Sequence, residues 1–178
     1  GKQKGNNIMT HEMTNDIAKI LGVDADSITQ LPEDILGSMQ TILENVEVRN
    51  DEDRQMLYED LNSYWLKGTI LIGLAEVAKN SGLPYDTLKS LDLYTQQTIV
   101  YEYMADSSNL ERIYAVTNKA LSIMELKKIS ELISVPENEL HKLSETVKEK
   151  ICGMYSMEYE EGGDNSALIV SLKEMVQS

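Results

Sequence analysis

Phenylalanine is absent from this 178-residue chain, while tryptophan and cysteine occur once each. With nine tyrosines and no phenylalanine, aromatic packing must be mostly tyrosine, with Trp65 alone of its kind. The single Cys152 excludes an intrachain disulfide and a cysteine-built metal cluster, and fits a reducing compartment or a particle assembled in one. Cations are scarce too: 16 Lys and Arg against 30 Asp and Glu, a net charge of −14. The deficit is spread along the chain, with 4 basic against 8 acidic residues in 1–50, 4 against 10 in 51–106 and 8 against 12 in 107–178. No basic face follows from that distribution; a self-repelling acidic surface does. The longest apolar run, Ile70–Ala75, is far short of the roughly 20 residues of a membrane span. The opening Gly1–Asn7 is polar and lacks the apolar segment of a secretory signal. Nothing alternates with period two for long enough to argue a strand.

What the chain has instead is a short stretch that recurs three times. Its clearest copy runs from Val77-Ala78 through Gly82-Leu83-Pro84 to Leu88 and Leu91. The first copy has Ile17-Ala18, Gly22-Val23, Ile28 and Leu31; the third has Ile129-Ser130, Ser134-Val135-Pro136, Leu140 and Leu143. Aligned on Gly22, Gly82 and Ser134, the copies are offset by 60 and 52 residues, a loose repeat. Gly22 and Gly82 stand where a helix end needs positive φ, and the next aliphatic can close back onto the finished helix. Pro84 and Pro136 are placed at the opening of the following helix, where a missing N–H costs nothing. The two later aliphatics, three apart, share one face of a short second helix. Pro32-Glu33-Asp34, Asp92 and Ser144-Glu145 then start a third.

In chain order, 1–9 reads as a flexible arm carrying Lys2 and Lys4, and 10–178 as a single all-helical domain. Its units are about 10–49, 50–106 and 107–157, with a C-terminal helix at 164–178. A first helix starts at the capping Thr10 with Met13, Ile17 and Ile20 on one face. The helix after the first turn carries Ile35, Met39, Ile42 and Leu43, with Gly37 lowering its propensity by roughly 1 kcal/mol. Asn50 or Asp51 caps a long central helix to about Ser81, with the stripe Leu57, Leu61, Tyr64, Gly68, Leu71, Ala75 and Ala78. A Tyr-rich helix, Leu93–Met104, follows with Ile99, Val100 and Tyr103 as core. After the break at Ala105–Asn109, a second long helix from about Ser108 to Ile133 buries Leu110, Ile113, Val116, Ala120, Ile123, Leu126 and Ile129. Val147, Ile151 and Met154, then Leu168, Leu172, Met175 and Val176, serve the last two helices. The expected fold is all-α, an irregular bundle of three loosely repeated long helix–turn–short helix–helix units.

Enzyme chemistry finds little footing here. His11 and His141 fall in different units and read as solvated helix residues. Cys152 has Lys148 and Lys150 nearby but also Ile151 and Met154, the setting of a buried inert thiol. The acidic runs Asp51-Glu52-Asp53 and Glu158–Asp164 lack the alternating ligands and mid-loop glycine of a calcium loop. No phosphate-binding glycine loop, zinc spacing or nucleophile elbow is present. No catalytic, cofactor or metal residue is assigned, and the partner-binding residues are not identified.

Two families are resembled locally. Ala78, Gly82 and Leu88 fall at the spacing of DNA-binding helix-turn-helix proteins; Ala18, Gly22 and Ile28 repeat it, and Ser130, Ser134 and Leu140 do so with both small residues changed. That resemblance implies a second helix entering the major groove with cationic or amide side chains outward. Here those helices carry Asp24, Asp26, Ser27 and Gln30, then Tyr85, Asp86 and Lys89, then Glu137, Asn138, Glu139 and Lys142, an acidic set that repels phosphate. The stretch Gly22-Val23, Ile28, Leu31, Glu33-Asp34-Ile35-Leu36 and Ile42 resembles the small helical motif of bacteriophage tail-assembly chaperones, and Gly82-Leu83, Leu88, Leu91 and Asp92-Leu93 keep part of it. This second resemblance implies a non-enzymatic protein that binds other structural proteins during particle assembly. The expectation is therefore an acidic helical adaptor working through protein–protein contacts, with homo-oligomers an option, in a cytoplasm, or in a host cytoplasm or virion if phage-encoded. A helix-turn-helix regulator and an acidic nucleic-acid mimic are the alternatives. Neither a membrane nor nucleic acid is an expected partner.

Overall fold

Three helix ends with left-handed backbone set the path of the chain in the computed structural model, which describes residues 9–178. They are Gly22 at φ 72°, Gly82 at φ 82° and Ser134 at φ 58°. At each, the turn residue donates its N–H to the carbonyl four residues back: Ala18, Ala78 and Ser130. Val23 and Val135 donate to the same Ala18 and Ser130 carbonyls, at 3.0 and 3.2 Å. Val23, Leu83 and Val135 are all half-buried, so the chain doubles back over an apolar contact.

The helices these ends separate account for the regular structure: ten α-helices and no strand among the described residues. The chain divides into two compact units, Gly1–Ser108 and Asn109–Ser178. The first holds α1 (His11–Leu21), α2 (Ala25–Thr29), α3 (Glu33–Asn45), α4 (Asp51–Ser81), α5 (Tyr85–Lys89) and α6 (Leu93–Ala105). The second holds α7 (Leu110–Ile133), α8 (Glu137–His141), α9 (Glu145–Glu158) and α10 (Ser166–Gln177). The sequence takes 10–178 as one domain; the division falls inside the Ala105–Asn109 break it marks. Residues 1–8 of the expected arm lie outside the described residues, while Met9 packs against the first core.

Starts are set by local chemistry. Thr10, Asn50, Asp92, Asn109 and Ser144 each accept the backbone N–H three residues on, closing the first turns of α1, α4, α6, α7 and α9. Pro84 and Pro136 stand one position earlier than expected, as the N-caps of α5 and α8. There they supply an extended backbone and have no N–H to satisfy. Each short helix is pinned by one fully buried aliphatic: Ile28, Leu88 or Leu140.

In the first unit, α4 packs on α1, α3, α5 and α6. Its buried residues are Leu57, Leu61 and Gly68, then Ile70, Leu74 and Val77. At about 100° per residue the first three share a face and the last three lie roughly opposite. The stripe expected from sequence is thus corrected beyond Gly68: Leu71 and Ala78 are half-buried and Ala75 is exposed. The reason is a change of partner along one rod. A Cβ on Gly68 would sit 2.8 Å from Leu31 Cδ2, so this part touches the chain entering α3. A Cβ on Gly73 would sit 2.7 Å from Val100 Cγ1, so the later part is pressed against α6.

Helix α6 buries Ile99 and Val100 as expected, together with Gln96, which sequence did not single out. The Gln96 amide donates to the carbonyls of Leu88, Lys89 and Leu91 at 3.0–3.3 Å, closing the open end of α5. Tyr103, expected in the core, is half-buried and hydrogen-bonded to Asn80 of α4. In the second unit, Leu126, Ile129, Ile133, Leu140, Ile151, Leu168 and Leu172 form the core. Of the expected α7 stripe, Ile113, Leu126 and Ile129 are buried, Leu110, Val116 and Ala120 are half-buried, and Ile123 is exposed. Thr117 is buried instead.

Candidate functional site

The residues that could carry chemistry are dispersed. His11 is the exposed first residue of α1, in the first unit. His141 ends α8 in the second unit, 3.1 Å from Glu137 one turn earlier. Burial, with the Glu125 carboxylate beside it, pushes the Cys152 thiol up to about 11, so almost none of it is thiolate near neutral pH. Lys148, which sequence places near that thiol, is instead paired with Glu145 at 3.1 Å.

The two acidic runs have structural work. Asp51, Glu52 and Asp53 form the first turn of α4, where carboxylates offset the positive end of the helix dipole. Asp51 holds Arg54 at 2.6 Å, and Asp53 accepts from both the backbone and the side chain of Arg49. In the loop before α10, Asp164 accepts from the Ser166 N–H and hydroxyl, which lower its pKa. The Asn165 side chain ties back to Glu160 at both its N–H and its carbonyl. Among the described residues, no three His, Cys, Asp or Glu side chains come together as metal ligands would.

The three short helices of the repeated turns are each five residues, about 7 Å long. Their central aliphatics face the cores, and Asp24, Asp26, Asp86, Asn138 and Glu139 are exposed. An open groove of about 700 Å³ runs along α3, lined by Glu33, Asp34, Gly37, Thr41, Glu44 and Tyr64. A smaller one of about 460 Å³ in the second unit has Lys119, Ile123, His141, Glu145 and Lys148 in its wall.

The outer face of α6 stands apart from these. Leu93, Tyr94, Tyr101 and Met104 are 49, 76, 61 and 75 % exposed. At about 100° per residue these four and Gln97 fall within an arc of roughly 100°, opposite the buried Ile99, with the buried Val100 and Gln96 beside its Leu93 edge. Leu93 and Tyr94 near its start and Tyr101 and Met104 near its end put two apolar and aromatic patches on one face of a 13-residue helix, with the half-buried Gln97 between them. Other exposed apolar residues do not line up this way. Met56, Tyr58, Leu66 and Ile72 are spread around α4, while Ile123, Met157 and Val170 sit on three different helices.

Between Lys89 and Arg112 the sequence has no cation, only Asp92, Glu102, Asp106 and Glu111. Asp92 caps the start of the stripe; the Thr95 hydroxyl and N–H hold its carboxyl below the usual range and keep it ionised. Asp106 stands just past the other end, accepting from Ser108. Sequence reading placed this Tyr-rich helix but not its outward face, although the spacing 93, 94, 97, 101, 104 is itself a helical stripe. No described helix is long and apolar enough to cross a membrane. No protein-family model matches the chain, and comparison with curated proteins and with solved structures gives no significant match.

Proposed function

We propose that this chain is a non-enzymatic, acidic helical docking protein that holds another protein on the outer face of α6. The observation that carries the reading is the uncharged stripe Leu93, Tyr94, Tyr101 and Met104 on a chain of net charge −14. Surfaces rich in Tyr and Met and depleted of charge at their centre are where protein interfaces form. The dispersal of the histidines and the raised pKa of Cys152 fit a protein that does no covalent chemistry. The local resemblance to tail-assembly chaperones gives the setting: a structural or chaperone component of a macromolecular assembly, acting in a host cytoplasm or virion.

The test is quantitative capture from the native source with three baits: the parent chain, Tyr94→Ser/Tyr101→Ser, and Val170→Ser as a surface control in the other unit. A partner kept by the parent and the control and lost by the α6 variant supports the reading. Identical capture by all three overturns it.

A further inference from the structure

A groove of about 520 Å³ in the second unit is lined by Lys128, Glu131 and Leu132 of α7, by Tyr155 of α9, by Tyr159 at the C-cap of α9, and by Glu161 just beyond. The Tyr155 and Tyr159 rings stack with centroids 4.7 Å apart and planes 20° from parallel, so the two form a single aromatic wall. Negative charge gathers at that wall. Burial raises the Tyr155 pKa, and the charges of Tyr159, Glu161, Glu125 and Glu131 raise it further. Glu125 is engaged by the Ser156 hydroxyl at 3.3 Å and by Cys152. Glu131 and Glu161 are exposed, and no hydrogen bond or ion pair from a described residue holds either of them.

We infer that this groove binds the methylated ammonium head of an organic cation. The methyl groups pack on the tyrosine rings and Leu132, and the charge lies against the aromatic wall within reach of Glu131 and Glu161. A primary ammonium is compact and strongly hydrated, and gives up more water to enter such a wall. A metal ion would need oxygen ligands brought together, and no three acidic or His/Cys side chains among the described residues are. An anion meets the same carboxylates that raise the Tyr155 pKa. Lys128 is the cation among the lining residues; two carboxylates against one ammonium leave the wall negative, and removing Lys128 makes it more so.

The experiment follows the Tyr155 and Tyr159 ring signals of the full chain by NMR. The probes are choline, its neutral carbon isostere neohexanol, and a short peptide bearing trimethyllysine. Each is titrated into the parent chain, Glu131→Gln, Tyr159→Leu and Lys128→Ala, with folding checked by circular dichroism. The expected result is a saturable shift with choline and none with neohexanol. Choline binding should weaken about threefold or more in Glu131→Gln and in Tyr159→Leu. It should tighten in Lys128→Ala. Whichever of choline and the peptide binds more tightly identifies the head as that of a small molecule or of a modified protein. Absence of a saturable shift with both cations would overturn the inference. Equal binding of choline and neohexanol would overturn it by making the site merely apolar. Choline binding unchanged in both Glu131→Gln and Tyr159→Leu would overturn it as attraction to bulk charge, and weaker binding in Lys128→Ala would overturn the inferred sign of the site.

Discussion

Ser134 does with a side chain what Gly22 and Gly82 do without one. At φ 58° its Cβ sits in the left-handed region, where an L-residue loses roughly 1 kcal/mol or more. Ser134→Gly removes that strain and should raise stability by about 0.5–1 kcal/mol in chemical denaturation, part of the gain being offset by glycine's extra freedom when unfolded. A loss of stability would mean the serine is needed at the turn for another reason. Cys152 offers a second residue-level check. A thiol held at about 11 has about a hundredfold less thiolate at neutral pH than a free cysteine, so iodoacetamide should label it correspondingly slowly in the folded chain. Labelling at the rate of the denatured chain would place the sulfur in open solvent. The turns and caps were legible because their chemistry is local. A glycine, a proline or a Thr, Asn, Asp or Ser at a helix start acts on neighbours within a few residues.

Helix α4 shows where that legibility ends. Its sequence is apolar on two sides, and periodicity alone extends the Leu57–Leu61 stripe through Leu71 to Ala75 and Ala78. The partner decides instead: Gly73 is pressed against Val100 of α6, Ile70, Leu74 and Val77 are the buried residues there, and the buried face crosses the helix near Gly68. Leu74→Ala should therefore cost about 2–5 kcal/mol, while Ala75→Ser should stay within about 0.5 kcal/mol. Equal costs would restore the simple stripe. The helical glycines give a paired test of the same packing. Gly73→Ala must push against Val100 and should lose about 1–3 kcal/mol. Gly37→Ala in α3 meets nothing within 4 Å and should gain up to about 1 kcal/mol. A Gly73→Ala chain as stable as the parent would mean that α4 and α6 are not in close contact.

Across the whole molecule the net charge of −14 is spread along the chain, and the outer face of α6 exposes Leu93, Tyr94, Tyr101 and Met104. Composition made the acidity plain, but not where the uncharged surface lies. Tyrosine serves core and surface alike: Tyr103 bonds to Asn80 between helices, while Tyr94 and Tyr101 on the same helix face outward. Only the burial of Gln96, Ile99 and Val100, the last against Gly73 of α4, fixes which side of α6 is left over. We propose that this leftover side is a protein-docking surface. The most direct measurement places a photo-crosslinking residue at position 101, and in a parallel chain at position 157, an exposed methionine in the second unit. After irradiation in the native source, position 101 should give a discrete adduct with one protein, and position 157 none. Equal, diffuse labelling at both positions, or a discrete adduct only at 157, would contradict docking on α6.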